Sequence, residues 1–147
     1  MAASLSRRER ITRTAIEIID ELGILGLSIR EIAKRQEVTE PAIYRHFTGK
    51  QEIILSGLGK VSDLSQATVH EISRPSLTGL KAIIYFVKSQ ARFFQDYPPI
   101  TSVIFAEEIF RDDPVVLAAM REVFERRAEV IETMVKQAQQ EVEMPRS

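Results

Sequence analysis

"SIREIAKRQEVTEPAIYRHFTGK", residues 28–50, holds two short helical patterns on either side of a Glu37-Val38 pair. The first opens on Ser28, three residues before Glu31, which is capping-box spacing, and places Ile29, Ile32 and Ala33 on one face before ending near Arg35. The second opens on Thr39, an N-cap candidate, with Pro41 in a first turn where its missing N–H costs nothing. Ile43 and Phe47, four residues apart, anchor this helix, while Tyr44, Arg45 and His46 project elsewhere and Thr39 to Ala42 form a narrow tip. Two short helices joined by a tight turn make a helix-turn-helix. The second helix of that arrangement enters a major groove by its tip and holds phosphates with donors on its flanks.

Working outward, every segment reads as helix. Upstream, Ser6 and Glu9 have capping-box spacing, and Ile11, Ala15, Ile18, Ile19 and Leu22 share one face until Gly23 and Gly26 end the helix. Downstream, Gly49 or Thr48 caps a longer helix carrying Ile53, Ile54, Leu58 and Val61. The stretch 68–76, with Pro75, is the expected seam between head and body. A helix with Leu80, Ile83, Ile84, Val87, Ala91 and Phe94 in phase follows, and "DYPPI" at 96–100 stops it. After "RDDP" at 111–114, a last helix from about Val115 to Val142 carries Leu117, Met120, Phe124, Ile131, Met134 and Val135. The expected fold is all-α: a three-helix head over residues 1–52, helix four as a connector to about residue 74, and a helical regulatory body over 53–147.

Composition narrows the function. Hydrophobic residues make up 44% and charged residues 28% of 147 positions, enough for a packed core. The absence of cysteine removes disulfides, thiolate metal sites and cysteine nucleophiles, and suits a reducing compartment. No apolar signal core opens the chain and no run nears membrane-spanning length, so the expectation is a soluble cytoplasmic protein without membrane contact. The two histidines, His46 and His70, stand far apart, with no phosphate loop and no serine elbow, and Asp112-Asp113 lies in a turn. Neither an enzyme nor a cofactor is expected. Net charge is −1, yet residues 1–60 hold ten cations against eight carboxylates and residues 61–147 ten against thirteen. Any grip on phosphate must come from local placement.

The run "RERITRTAIEIIDELGILGLSIREIAKRQEVTEPAIYRHFTGKQEII" resembles the N-terminal DNA-binding domain of TetR-type transcriptional regulators, with elements agreeing in order, spacing and residue type over roughly residues 7–60. The resemblance implies a ligand-relieved repressor that dimerises through its body, senses a small-molecule effector there and reads a palindromic operator in double-stranded DNA. It also implies that Tyr44 and His46 face phosphates and that Lys50 offers its ammonium to another. Ser28 and Thr39 would cap helices near the DNA backbone, and Pro41 and Ala42 would lie against base edges. Arg45 would reach a guanine edge or a phosphate.

Two positions depart from the family pattern. Glu37 stands in a turn where glycine is frequent, at a cost of about 1 kcal/mol if its φ is positive. Glu40 replaces a cation at the tip; it either serves the helix dipole or accepts a hydrogen bond from a cytosine amine. In the body, Phe86, Phe93, Phe105 and Phe124 line either an effector cavity or an ordinary core, and Glu107 and Glu108 are solvated, at a dimer rim, or turned toward a cationic ligand. Family members run some tens of residues longer, with two further helices that build the dimer interface. The expectation is therefore a body shortened at its C-terminal end, with apolar stripes bared around Ile104, Phe105, Phe124, Ile131 and Met134. The rival reading is a truncated interaction module that associates with full-length relatives without binding DNA alone.

Overall fold

A computed structural model describes residues 4–73, 77–105 and 111–143. Pro75, Glu107, Glu108 and Phe110 lie outside the described residues, as do the side chains of Ser73, Phe105 and Glu143. In chain order come α1 (Arg7–Leu22), a 3-10 turn (Ile24–Gly26), α2 (Ile29–Gln36), α3 (Glu40–Tyr44), α4 (Lys50–Ser73), α5 (Gly79–Asp96), α6 (Pro99–Phe105) and α7 (Pro114–Glu143). No strand occurs among the described residues, and the all-α expectation holds. Among them no helix is long and apolar enough to cross a membrane.

Local chemistry sets the boundaries of the head helices. Ser6 accepts from the Glu9 N–H at 3.2 Å while the Glu9 carboxylate accepts from the Ser6 N–H at 2.9 Å. This complete capping box contributes on the order of 1 kcal/mol. Gly23 ends α1 at φ 73°, a left-handed value that a side chain would resist, and donates to the Ile19 carbonyl at 2.8 Å.

The chain forms two compact units: Met1–Gly59 with Pro98–Met120, and Lys60–Tyr97 with Arg121–Ser147. In the first, α1 packs against α2 and α6, and α2 against α3. Its core holds Ile11, Ile18, Leu27, Ile32, Ile43, Phe47 and Ile53, together with Ile100 and Val103 from α6. Gly57 lets α4 approach α1 closely, since a Cβ there would stand 3.2 Å from Ile16 Cδ1. Segment 98–120, which the sequence reading assigned to the body, thus groups with the head helices.

The second unit is built around Ile72, Ala82, Phe86 and Met134, with Val69, Leu77, Ile83 and Val130 packed against them. Here the α5 phase differs from expectation. Gly79, Ala82, Phe86 and Gln90 face inward, while Leu80 (64% exposed), Ile84 and Val87 (53%) face water. Gln90 is buried because its amide lies 3.4 Å from both the Ser65 and Thr68 hydroxyls, and a satisfied amide can be buried cheaply. On α7, Met134 is buried but Phe124, Ile131 and Val135 are exposed; Ile104 is buried in the first unit rather than bared.

Candidate nucleic-acid interface

α2 starts where Ser28 accepts from the Glu31 N–H at 3.0 Å. The Glu31 carboxylate does not complete the box. It takes Arg35 Nε at 3.1 Å, while the same guanidinium reaches the Glu21 carboxylate at 2.8 Å. Those bonds, to Glu21 and then Glu31, raise the Arg35 pKa and tie α2 to α1. α2 ends at Glu37 with φ 55° and ψ 43°. The Val38 N–H reaches the Ala33 carbonyl at 3.0 Å and the Glu37 N–H that of Lys34 at 3.2 Å, a Schellman closure with glutamate where glycine is usual.

Two residues later Thr39 accepts from the Ala42 N–H at 3.3 Å and opens α3, with Pro41 in its first turn. Turns continue the rise beyond Tyr44, as the His46 and Phe47 N–H groups both donate to the Ile43 carbonyl. Ile43 and Phe47 are fully buried. Glu40, Pro41, Tyr44 (55% exposed) and Arg45 stand in solvent, with Ala42 and His46 half-buried. The helix is therefore anchored on one side and bare on the other.

The far end of this helix is held by Arg8, which the sequence reading did not single out. Its guanidinium donates to the His46 carbonyl, pairs with Glu52 at 3.2 Å and lies 4.1 Å over the Phe47 ring. No local pattern marks it, because the groups it holds lie some forty positions along the chain. Glu52 in turn accepts from the Thr48 N–H at 2.7 Å and hydroxyl at 2.8 Å. Bonds from Thr48, and next from Arg8, hold the Glu52 carboxyl below its usual range. Of the two cap candidates for α4, Thr48 donates rather than accepts, whereas the Gly49 carbonyl receives the Ile53 N–H at 3.3 Å. Lys50 sends its ammonium to the Leu27 carbonyl at 2.8 Å, using one of three N–H donors and fastening α4 to the turn before α2.

In the second unit, Phe86 is a core residue, Phe93 is half-buried with its ring edge-on to Phe94, and Phe124 is exposed. A cavity of about 400 Å³ between α4 and α7 has none of Phe86, Phe93 or Phe124 in its wall, which is formed instead by such residues as Ser65, Val69, Val123 and Arg127.

Residues 11–56 match the model of the bacterial regulatory proteins of the tetR family. The chain is 40% identical over 48 residues to the class C tetracycline repressor protein of Escherichia coli, covering 33% of this chain and 22% of that one. It is 24% identical over 110 residues to the HTH-type transcriptional repressor KstR of Mycolicibacterium smegmatis, covering 75% and 54%. The chain thus spans from about a fifth to about half the length of these curated relatives. The fold is similar to the TetR family regulator PfmR of Thermus thermophilus, with TM-score 0.76 at 20% identity, over 98% of this chain and 77% of that one. It is also similar to SCO3833 of Streptomyces coelicolor, with TM-score 0.72 at 18% identity, over 100% and 71%.

Proposed function

Because the chain belongs to the TetR family of bacterial regulatory proteins, we propose that it is a sequence-specific DNA-binding transcriptional regulator, a repressor released by a small-molecule effector, with α3 as the helix that enters the major groove. One observation carries this reading: Ile43 and Phe47 are buried while Tyr44 and Arg45 stand bare on the same short helix. A five-residue helix has no stability of its own. A chain that caps it, anchors it and clamps its end with Arg8 is presenting the tip, and the exposed groups are those suited to nucleic acid.

In this reading Pro41 and Ala42 meet base edges, and Tyr44 and His46 donate to phosphates. Arg45 takes a guanine edge or a phosphate, and the two free donors of Lys50 take another phosphate. Ser28 and Thr39 hold the backbone N–H groups of α2 and α3 in register beside them. Glu40 reads a cytosine amine and weakens nonspecific binding through its negative charge. Two copies, associating through the apolar faces that α5 and α7 leave exposed, would present two tips to a palindromic operator. No observation favours the rival interaction module.

The test is a gel-shift titration on DNA flanking the protein's own gene, with sizing chromatography alongside. Tyr44→Ala and Arg45→Ala are each expected to weaken binding about tenfold to a hundredfold, and binding should fall steeply with salt. Glu40→Gln should alter preference at one base position. A folded, associated protein that ignores the DNA, or variants that bind as well as the parent, would overturn the proposal.

A further inference from the structure

The second unit contains a cation that is poorly matched by its surroundings. The cavity between α4 and α7 has Val69, Val123 and Val130 on its apolar side and Ser62, Ser65 and Arg127 among its polar groups. The neighbouring Arg126 is already neutralised by Glu122 at 2.5 Å. Arg127 forms no ion pair with a carboxylate among the described residues. Its guanidinium donates to the Ser65 hydroxyl at 3.4 Å and sits 5.7 Å from the centre of the Phe94 ring. Partial burial lowers its pKa, and no carboxylate among the described residues offsets that desolvation.

A guanidinium carries five donors in a planar fork that suits a carboxylate. The Ser65 hydroxyl uses one of them and is itself occupied, donating to the Val61 carbonyl at 3.1 Å with the Gln90 amide oxygen 3.4 Å away. Around the fork, three valines offer surface that favours hydrocarbon over water. Glu129 also borders the cavity; its negative charge repels any anion in proportion to the anion's charge, so a monoanion paired with Arg127 is disfavoured less than a polyanion. A volume of about 400 Å³ admits a small organic molecule.

We infer that this cavity is a binding site for an amphipathic organic monoanion, a carboxylate with an apolar body, whose head pairs with Arg127 and whose body lies on Val69, Val123 and Val130. The inference rests on the reading of the second unit as the effector-sensing part of a regulator. It names the chemical class of that effector. The counter-charge and the apolar wall act together: a neutral molecule leaves the guanidinium unpaired, and an inorganic anion leaves the valines wet.

Calorimetric titration of the whole chain with octanoate and 1-naphthoate, beside octanamide and 1-naphthamide, tests this. The acids should bind more tightly than their neutral amides by roughly tenfold to a hundredfold. Arg127→Gln should erase that preference, Arg127→Lys should keep part of it, and Ser62→Trp, which fills the cavity, should remove binding of acids and amides alike. Circular dichroism melts establish that each variant folds, and the acid-over-amide preference of the parent protein needs no variant at all. Equal affinity for acid and amide, no binding of either acid at millimolar concentration, or a preference that survives Arg127→Gln would overturn the inference. Gel shifts without added acid separate the two readings. Acid selectivity without DNA binding removes the regulator and leaves the site; DNA binding without acid selectivity does the reverse.

Discussion

Glu37 is the only non-glycine residue with positive φ among the described residues. Its side chain is exposed, so the left-handed backbone is uncompensated by any buried contact. Glu37→Gly should stabilise the protein by about 0.5–1 kcal/mol, the relief of strain being partly offset by the greater freedom of glycine in the unfolded chain. Urea unfolding would read this as a higher midpoint at unchanged slope. Glu37 stands out in the sequence through the resemblance, as a glutamate in a turn where TetR-type heads often carry glycine, and the positive φ itself emerges only from the backbone. Arg8 does not stand out. Its carbonyl, carboxylate and ring partners at His46, Glu52 and Phe47 become neighbours only once α1, α3 and α4 have packed. The place of Lys50 after "YRHF" points to a phosphate, and its bond to the Leu27 carbonyl is equally invisible in the sequence.

Helix existence and limits were written plainly into the chain wherever a cap or a breaker stood, as at Ser6, Gly23, Ser28 and Thr39. Which face of a helix is covered was harder to read. α5 carries two stripes at helical spacing, and the more apolar one, Leu80–Ile84–Val87, faces water. The covered stripe contains Gly79, Ala82 and Gln90, residues that periodicity discounts. They suit the position through small size and through the Ser65 and Thr68 hydroxyls opposite. The two faces should respond differently to substitution. Phe86→Ala, which empties a fully buried site, is expected to cost about 3–5 kcal/mol in urea unfolding. Leu80→Lys should stay within about 0.5 kcal/mol for the dilute protein. A large loss at Leu80 in dilute solution would mean that α5 is turned the other way.

Across the protein, acid should be more damaging than base. The Glu52 carboxyl is held low by Thr48 and then Arg8, and Asp113 by the Gln51 side chain and then the Val116 and Val115 N–H groups. A carboxyl whose pKa is depressed by folding contributes stability that is fully present above its unfolded value. That contribution is lost as pH falls through the folded value. The melting temperature should therefore decline from about pH 5 downward, and Glu52→Gln should flatten the decline while lowering the neutral plateau. An unchanged slope in that variant would remove Glu52 from the account. The division of the chain into parts was the least legible feature at this level. Ile100 and Val103 look like any body residues in the sequence, and only packing reveals that α6 lies against α1. That placement carries a practical consequence for anyone who would transplant the helix-turn-helix unit onto another protein. A cut within α4, at the edge of the first unit, leaves the hydrophobic seat of α6 open to water, so a graft of residues 1–59 alone should be sticky and short-lived. A durable chimera must carry residues 98–120 along, as a second strip of donor sequence interleaved with the host.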